Sequence, residues 1–243
     1  HPEQSEGSIM AKEIEVIVKE IIKRSPSVKS VRLSIEGEAN FKAGQFMHAC
    51  LKEEPECRRY LSISNSPTEK GYLEFTKKIT ESKFSKILQA LKIGDRLKIE
   101  YPFGNFTLMD SDKKIAFLSG GIGITPIRSI CKYAVDKKLD LDVALIYANR
   151  SIKDIIFKQD FDVMQKQYPK LRVAHVLCEP EPGFKCSLGL INAQVIKNEI
   201  PDFSQRRFYL CGPPEMVEAM KKVLREELNL PNDSIITENF TGY

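Results

Sequence analysis

Between residues 11 and about 110 the apolar positions come in short alternating or β-branched runs, separated by polar and glycine-containing stretches. IEVIVKEIIKR (14–24), VKSVRLSIE (28–36), GQFMHACL (44–51), GYLEFTKKI (71–79) and DRLKIEYPFG (95–104) are each of strand length. Alternation with period two marks a strand with one face buried, and many such strands between turn signals predict a barrel or a sandwich. One segment breaks the pattern. In FSKILQALK, Phe84, Ile87, Leu88 and Leu91 recur at helical spacing, which predicts a single helix among the strands.

From about residue 113 strand-like and helix-like segments alternate. IAFLS (115–119) precedes TPIRSICKYAVDKK (125–138), DVALIYANR (142–150) precedes DIIFKQDFDVMQKQ (154–167), and RVAHVLCE (172–179) leads into INAQVIKNEI (191–200). RFYLCG (207–212), PPEMVEAMKKVLREEL (213–228) and SIITENF (234–240) follow. Such alternation predicts a parallel sheet with helices on both faces. The change of pattern falls in the polar stretch LMDSDKK (108–114). Thr125 is expected to cap the first helix, its oxygen accepting an orphan N–H, with Pro126 at the first helical position, where no N–H is needed.

Composition narrows the function classes. The chain has 243 residues, room for one large domain or two small ones, with 42% hydrophobic and 29% charged residues, as in ordinary globular proteins. No apolar run is long enough to span a bilayer, and no segment has the order of a signal peptide, so a cytoplasmic protein is expected. The polar opening HPEQSEGSI is read as foreign to the fold, with Met10 as the natural start. The net charge of +4 comes from lysines scattered among acidic residues. That is a solvated mixed surface or a shallow basic face for an acidic protein partner, and no dense basic run suggests nucleic acid. Six cysteines without a C-x-x-C pair, and only three histidines, argue against zinc, c-type haem or an iron–sulfur cluster. No metal site is expected.

The segment IAFLSGGIGITPIRSI (115–130) carries the first candidate chemistry. An apolar strand stops at Gly120 and Gly121, Gly123 follows, and a helix begins. The helix N-terminus favours an anion, and glycines let backbone approach a phosphate. Pro126 stands where the dinucleotide fingerprint G-x-G-x-x-G has its third glycine, and many strand–helix turns carry glycine for conformation alone. In RRYLSISNSP (58–67), Arg59 suits a phosphate and Ser62 a ring nitrogen; the same residues also suit a polar edge strand ending in a proline turn.

The order of RYLSISNSP, FSKILQALKIGDRLKIEYPFGNF, GGIGITP, LCGPPEM and ENFTGY along most of the chain resembles the ferredoxin–NADP reductase family of flavoproteins. It is most similar to compact reductase components and electron-transfer subunits. The resemblance implies an antiparallel Greek-key β-barrel flavin domain, 11–110, followed by an α/β parallel-sheet nicotinamide-nucleotide domain, 113–243. The family motif R-x-(Y/F/L)-S-x-x-(S/N) falls on Arg59, Leu61, Ser62 and Asn65, flanked by Tyr60 and Ser66. Arg59 would then meet the flavin diphosphate, Leu61 pack on the flavin and Ser62 face its N5 edge. A second diphosphate contact falls on Lys83, Phe84 and Ser85, with Ser82 in place of the family's glycine, and Gly104 matches the end of the flavin domain. G-G-x-G-x-T-P is the family's nicotinamide-nucleotide turn, which assigns Gly120, Gly121, Gly123, Thr125 and Pro126 to the nucleotide. Cys211 would sit beside nicotinamide C4, with Gly212, Pro213 and Met216 shaping the pocket; most buried cysteines are plain core thiols. Glu238 and Phe240 match a carboxylate and an aromatic near the flavin.

The implied activity is hydride transfer from NADPH or NADH to FAD, which the resemblance favours over FMN, and onward electron transfer to a separate acceptor: a ferredoxin, a flavodoxin, or an oxygenase or other redox subunit. Ser62, Cys211 and Glu238 are the expected catalytic residues. Arg150, with Ser151 and Lys153, is placed to hold a 2′-phosphate, which leans the nucleotide toward NADPH. The competing expectation is a non-catalytic nucleotide-binding module that kept the fold and lost the flavin.

Overall fold

The structure, a computed structural model, describes residues 10–51 and 57–239. Its first half is built from strands β1 (Lys12–Ser25), β2 (Val28–Ser34), β3 (Phe46–Cys50), β4 (Arg58–Ser62), β5 (Tyr72–Lys78) and β6 (Arg96–Phe103), with helix α1 (Lys83–Ala90) between the last two. The strands run antiparallel in the order β4-β3-β6-β1-β2-β5. A bridge between Ile63 and Phe75, and a 2.7 Å bond from the Ser64 N–H to the Glu74 carbonyl, join the two edges into a barrel. Alternation fills it: Val16 and Val18 point inward with Leu33, Met47, Leu73 and Phe75, while Ile17 between them is 41% exposed. Phe84 and Leu88 of α1 join this core from one end. Ser82 caps α1, its side chain accepting from the Ser85 N–H.

The second half contains β7 (Lys114–Gly120), α2 (Ile124–Asp136), β8 (Asp142–Asn149), α3 (Lys158–Gln167), β9 (Leu171–Leu177), the short β10 (Ser187–Leu188), α4 (Ala193–Glu199), β11 (Arg207–Gly212), α5 (Pro214–Lys222) and β12 (Ile235–Asn239). The sheet is parallel, in the order β10-β9-β8-β7-β11-β12. From β7 the chain builds outward through β8 and β9, then returns to add β11 and β12 on the other side. Ligands of open parallel sheets bind where the order reverses, at the carboxyl ends of the strands, here the ends of β7 and β11. Helices cover both faces, α2 and α3 on one core and α4 and α5 on the other. No helix among the described residues is long and apolar enough to cross a membrane, and none of the cysteines forms a disulfide.

The start of α2 corrects one expectation. The helix begins at Ile124 after a 3₁₀ turn over Gly121–Gly123, Gly123 holds the cap position, and no side chain caps it. Thr125 and Pro126 therefore lie inside the first turn. The Ile122 carbonyl would normally accept from residue 126, which as proline has no N–H. The Thr125 hydroxyl donates to that carbonyl instead, at 3.1 Å. The third helix, by contrast, starts late, at Lys158, after Phe157 adopts a left-handed backbone (φ 58°) and Ile155 to Phe157 are buried.

The two sheets share one apolar layer. Val28, Ala43 and Phe106 from the first half pack with Ile127, Ile130 and Cys131 of α2 and with Tyr209. Phe106 meets Tyr209 edge-on at 5.4 Å. Gly44 is obligatory there: its φ is 98°, and a Cβ would lie 1.9 Å from the Phe106 carbonyl oxygen.

Candidate active site

At the reversal point three glycines do two different jobs. A Cβ on Gly123 would lie 2.2 Å from the Cys211 carbonyl oxygen and 2.6 Å from Gly212 Cα, and one on Gly120 would lie 2.3 Å from Met216 Sδ. These two glycines let the β7 turn press against the end of β11. Gly121 has φ 52° and open space where a Cβ would go, so it is the one that leaves backbone exposed for a phosphate. The Tyr147 hydroxyl donates to the Gly121 carbonyl at 3.0 Å and fixes the turn from β8. A cleft of about 600 Å³ opens here, lined by Gly120, Gly121, Asn149, Leu190, Pro213 and Met216, with Arg150 and Asp154 also on its wall. Asn149 is 8% exposed, and its amide makes no hydrogen bond.

Register places Cys211 opposite Ser119 on β7 and Glu238 on β12. Cys211 is fully buried; burial and then the Glu238 charge push its thiol pKa well up, so it is a neutral thiol and not a nucleophile. Glu238 reaches toward the barrel: a Cβ on Gly104 would lie 3.5 Å from its Oε1. Burial raises its carboxyl to about 7, and its Oε2 has no hydrogen-bond partner. Ser62, at the end of β4, is 3% exposed and its hydroxyl is likewise unpartnered. A buried polar atom without a partner costs about 1–3 kcal/mol, so Ser62 and Glu238 are set up for a polar ligand between the sheets.

The outer face of the barrel offers an aromatic platform. Tyr60 is 65% exposed, stacks on His48 at 4.7 Å and meets Phe46 edge-on at 5.5 Å. Leu61, expected on the flavin, points the other way: strand alternation turns it into the barrel core, 6% exposed. The exposed ring on this strand is Tyr60. Phe84 is also a core residue, fully buried, with the Arg59 guanidinium 5.7 Å from its ring centre. Beside Arg59 lies Lys77, only 4% exposed; burial, then Arg59 and Lys78, lower its pKa. Cations close together beside the N-terminus of a helix are of the chemistry that suits an anion. Lys83 and Ser85 flank it, and the Ser85 N–H is held by Ser82.

Two further residues expected at the flavin are engaged within the protein. The Asn65 amide is spent on its own turn: Oδ1 accepts from the Glu74 N–H at 2.7 Å, and Nδ2 reaches the Ser66, Glu69 and Tyr72 carbonyls. The Ser66 hydroxyl is bonded to Thr68. Both residues are fully buried and shape the turn after Ser62. Phe240 lies outside the described residues.

Both halves of the chain match known sequence families. Residues 13–108 match an oxidoreductase FAD-binding domain and residues 117–222 an oxidoreductase NAD-binding domain. The chain belongs to the ferredoxin–NADP reductase-like family. It is 30% identical over 196 residues to the glycine betaine monooxygenase reductase subunit of Chromohalobacter salexigens, covering 76% of this chain and 52% of that one. It is 34% identical over 174 residues to NADH-cytochrome b5 reductase 1 of Aspergillus terreus, covering 68% and 58%. The chain thus spans about half the length of the curated relatives it matches. Among solved structures, the cytochrome b5 reductase domain of Ulva prolifera nitrate reductase superposes with a TM-score of 0.82 at 25% identity, over 93% of this chain and 97% of that one.

Within this family fold, the residues that motif reading missed are Lys77, Tyr147 and Asn149. Lys77 could have been found as a lysine that follows Leu73 and Phe75 on the inward side of β5. Tyr147 and Asn149 sit at the carboxyl end of β8, where the sheet topology directs a search. At the outer end of the cleft, Arg150 Nε donates to Glu179 at 2.7 Å, and the Ser151 N–H and hydroxyl both donate to Asp154. Two of the residues expected at a 2′-phosphate are thus engaged with carboxylates.

Proposed function

We propose that this chain is an NAD(P)H-dependent flavin reductase that passes electrons through bound FAD to a separate redox protein. Residues 11–110 form the flavin unit, residues 113–243 the nucleotide unit, and the reaction takes place in the cytoplasm. One observation carries the reading: Ser62, paired with Phe46 at the end of β4, and Glu238, beside Cys211 at the reversal point of the parallel sheet, each hold a buried oxygen without a partner.

In this reading Arg59 and Lys77, with Lys83 and the start of α1, hold the flavin diphosphate, and Tyr60 packs against the ring system. Ser62 donates a hydrogen bond to the ring edge, and Gly104 leaves room beside Glu238. The bound flavin supplies two-electron acceptance and one-electron release. The exposed backbone at Gly121 and the N-terminus of α2 take the nucleotide diphosphate. Gly212, Pro213 and Met216 shape the wall, and Cys211 presents a neutral thiol that keeps the site free of a second negative charge. Glu238, titrating near neutrality, holds a proton at the cleft. The aromatic platform and the shared apolar layer keep water from the reacting edge.

The proposed donor is NADH. A carboxylate at the end of the second strand suits a ribose 2′-hydroxyl; here Asp154 follows that strand, and Glu179, just beyond β9, is already paired with Arg150. The proposed acceptor is a separate protein carrying a one-electron centre, by analogy with the monooxygenase and the cytochrome b5 in the names of the relatives above.

The test is the absorbance spectrum and extracted cofactor of the purified chain, followed by anaerobic titration with NADH and NADPH. One flavin per chain, bleached by NADH at lower concentration than by NADPH, is the expected result. A colourless protein that takes up no added flavin would favour a non-catalytic nucleotide-binding module.

A further inference from the structure

The turn that follows Ser62 and the helix that follows the glycine turn are tied directly to each other. Ser129 of α2 is fully buried, and its hydroxyl donates to the Asn65 carbonyl at 2.6 Å. Asn65 is three residues beyond Ser62, and Ser129 is four beyond Thr125. Arg128, 5% exposed, adds a second tie. It donates to the Ser64 carbonyl at 3.3 Å, forms a two-pronged ion pair with Glu69 of the same turn, and reaches Asp160 of α3 at 2.8 Å. Burial alone would depress this guanidinium, but Glu69 and Asp160 hold its pKa above the usual arginine range. A third tie lies near the far end of the helix, where the Thr68 hydroxyl donates to Asp136.

We propose that Ser129 and Arg128 are positioning residues for hydride transfer: they lock the flavin-side turn 64–69 to α2 and so set the distance between Ser62 and the nucleotide turn. The proposal rests on the flavin-reductase reading above. Neither side chain lines the nucleotide cleft, and neither belongs to the motifs that mark the cofactor segments. Their placement follows from chain geometry. β4 delivers Ser62 from the barrel, β7 delivers Gly120 and Gly121 from the parallel sheet, and the two strands do not pair with each other. The relative position of the half-sites therefore depends on what joins them just beyond the site.

The contacts suit that task. A buried 2.6 Å hydroxyl–carbonyl bond leaves no slack. A guanidinium shared between a barrel turn and two helices resists both sliding and rotation, because its forked donors fix direction as well as distance. The apolar layer of Ile127 and Ile130 against Val28, Ala43 and Phe106 supplies cohesion but not register. Hydride transfer needs reacting atoms about 3–3.5 Å apart, and a misplacement of about 1 Å costs on the order of a hundredfold in rate.

Ser129→Ala and Arg128→Lys are the variants, because each removes a directional contact while keeping volume or charge. Three quantities are compared with the wild-type holoprotein: flavin per chain, nucleotide dissociation constant, and the rate of anaerobic flavin reduction at saturating NADH and NADPH. The long-wavelength absorbance of a nicotinamide ring stacked on the flavin gives a readout independent of turnover. Amide hydrogen exchange in 62–76 and 124–136 of the flavin-free chain gives another.

The proposal expects flavin content and nucleotide affinity within about twofold of wild type. It expects reduction slowed at least about tenfold, a weaker stacking absorbance, and faster exchange in both segments together. Reduction rate and stacking absorbance within twofold of wild type in both variants would overturn it. So would loss of the flavin itself, which would make these residues structural supports of the barrel turn. A wild-type chain that binds no flavin, or is bleached by neither nucleotide, would instead remove the functional reading beneath it.

Discussion

Glu238→Gln offers a direct measure of how far the cleft is desolvated. The carboxyl has an ordinary value of 4.5, and burial raises it to about 7 in the folded chain. In the unfolded chain it ionises near its ordinary value. Between those two pH values the folded state binds more protons than the unfolded state, so stability falls as pH rises through that window. Each tenfold change in proton affinity is worth about 1.4 kcal/mol, so the whole rise corresponds to about 3 kcal/mol. The stabilising contribution is fully present below pH 4.5 and lost once pH passes about 7. Glutamine keeps the shape and cannot ionise, so this pH dependence should vanish with it.

The assay is urea denaturation of the flavin-free chain at several pH values from 4.5 to 8.5, for wild type and Glu238→Gln. The variant's stability relative to wild type should climb with pH, by about 2–3 kcal/mol across the range. The m-values should match, so that the comparison reflects stability and not a changed unfolded state. Two parallel pH profiles would refute the reasoning, because they would mean that Glu238 is solvated when folded. The cleft at β12 would then be open to water.

Other substitutions probe separate parts of the site. Gly123→Ala should destabilise by at least about 3 kcal/mol, because its Cβ would meet backbone at 2.2 Å, whereas Gly121→Ala should cost only about 1–2 kcal/mol of left-handed strain; thermal melts that show equal losses would contradict this. Lys77→Met and Arg59→Ala should each weaken flavin binding about ten- to a hundredfold, the scale of a charge-assisted bond to phosphate, and unchanged affinity by fluorescence titration would remove the diphosphate from that corner. Glu179→Gln should free Arg150 and raise kcat/KM for NADPH by roughly fivefold or less, the scale of an exposed ion pair, while leaving NADH unchanged; equal shifts for both nucleotides would show a structural role instead.

What the sequence made legible is the part governed by period and by backbone. The barrel strands announce themselves through alternation, and the parallel half through strands and helices in turn. The glycine turn announces itself because two of its three glycines are demanded by close approach of main chain, a constraint that admits few other residues. Side-chain direction was less legible. A one-residue choice of face separates Tyr60 from Leu61, and the motif could not make it; the pairing of β4 with β3 and the bridge at Ile63 did. Asn65 and Ser66 carry the right chemistry for a ligand and spend it on their own turn, which only the hydrogen bonds to Glu74 and Thr68 reveal. Lys77 was hidden for the opposite reason, since a lysine in a strand is ordinarily a solvated one.

These outcomes share a cause that bears on the hydride step. Residues fixed by main-chain packing, such as Gly123 against Cys211, shape the nucleotide half-site. Residues with unmet hydrogen bonds, such as Ser62 and Glu238, set what can sit between the two half-sites. Neither group sets how far apart the half-sites are held, because β4 and β7 belong to different sheets. That separation is left to side chains with no recognisable motif, and the Ser129 and Arg128 ties are polar links that cross it. A change of rate without a change of binding is therefore the outcome that this architecture should produce when those ties are cut.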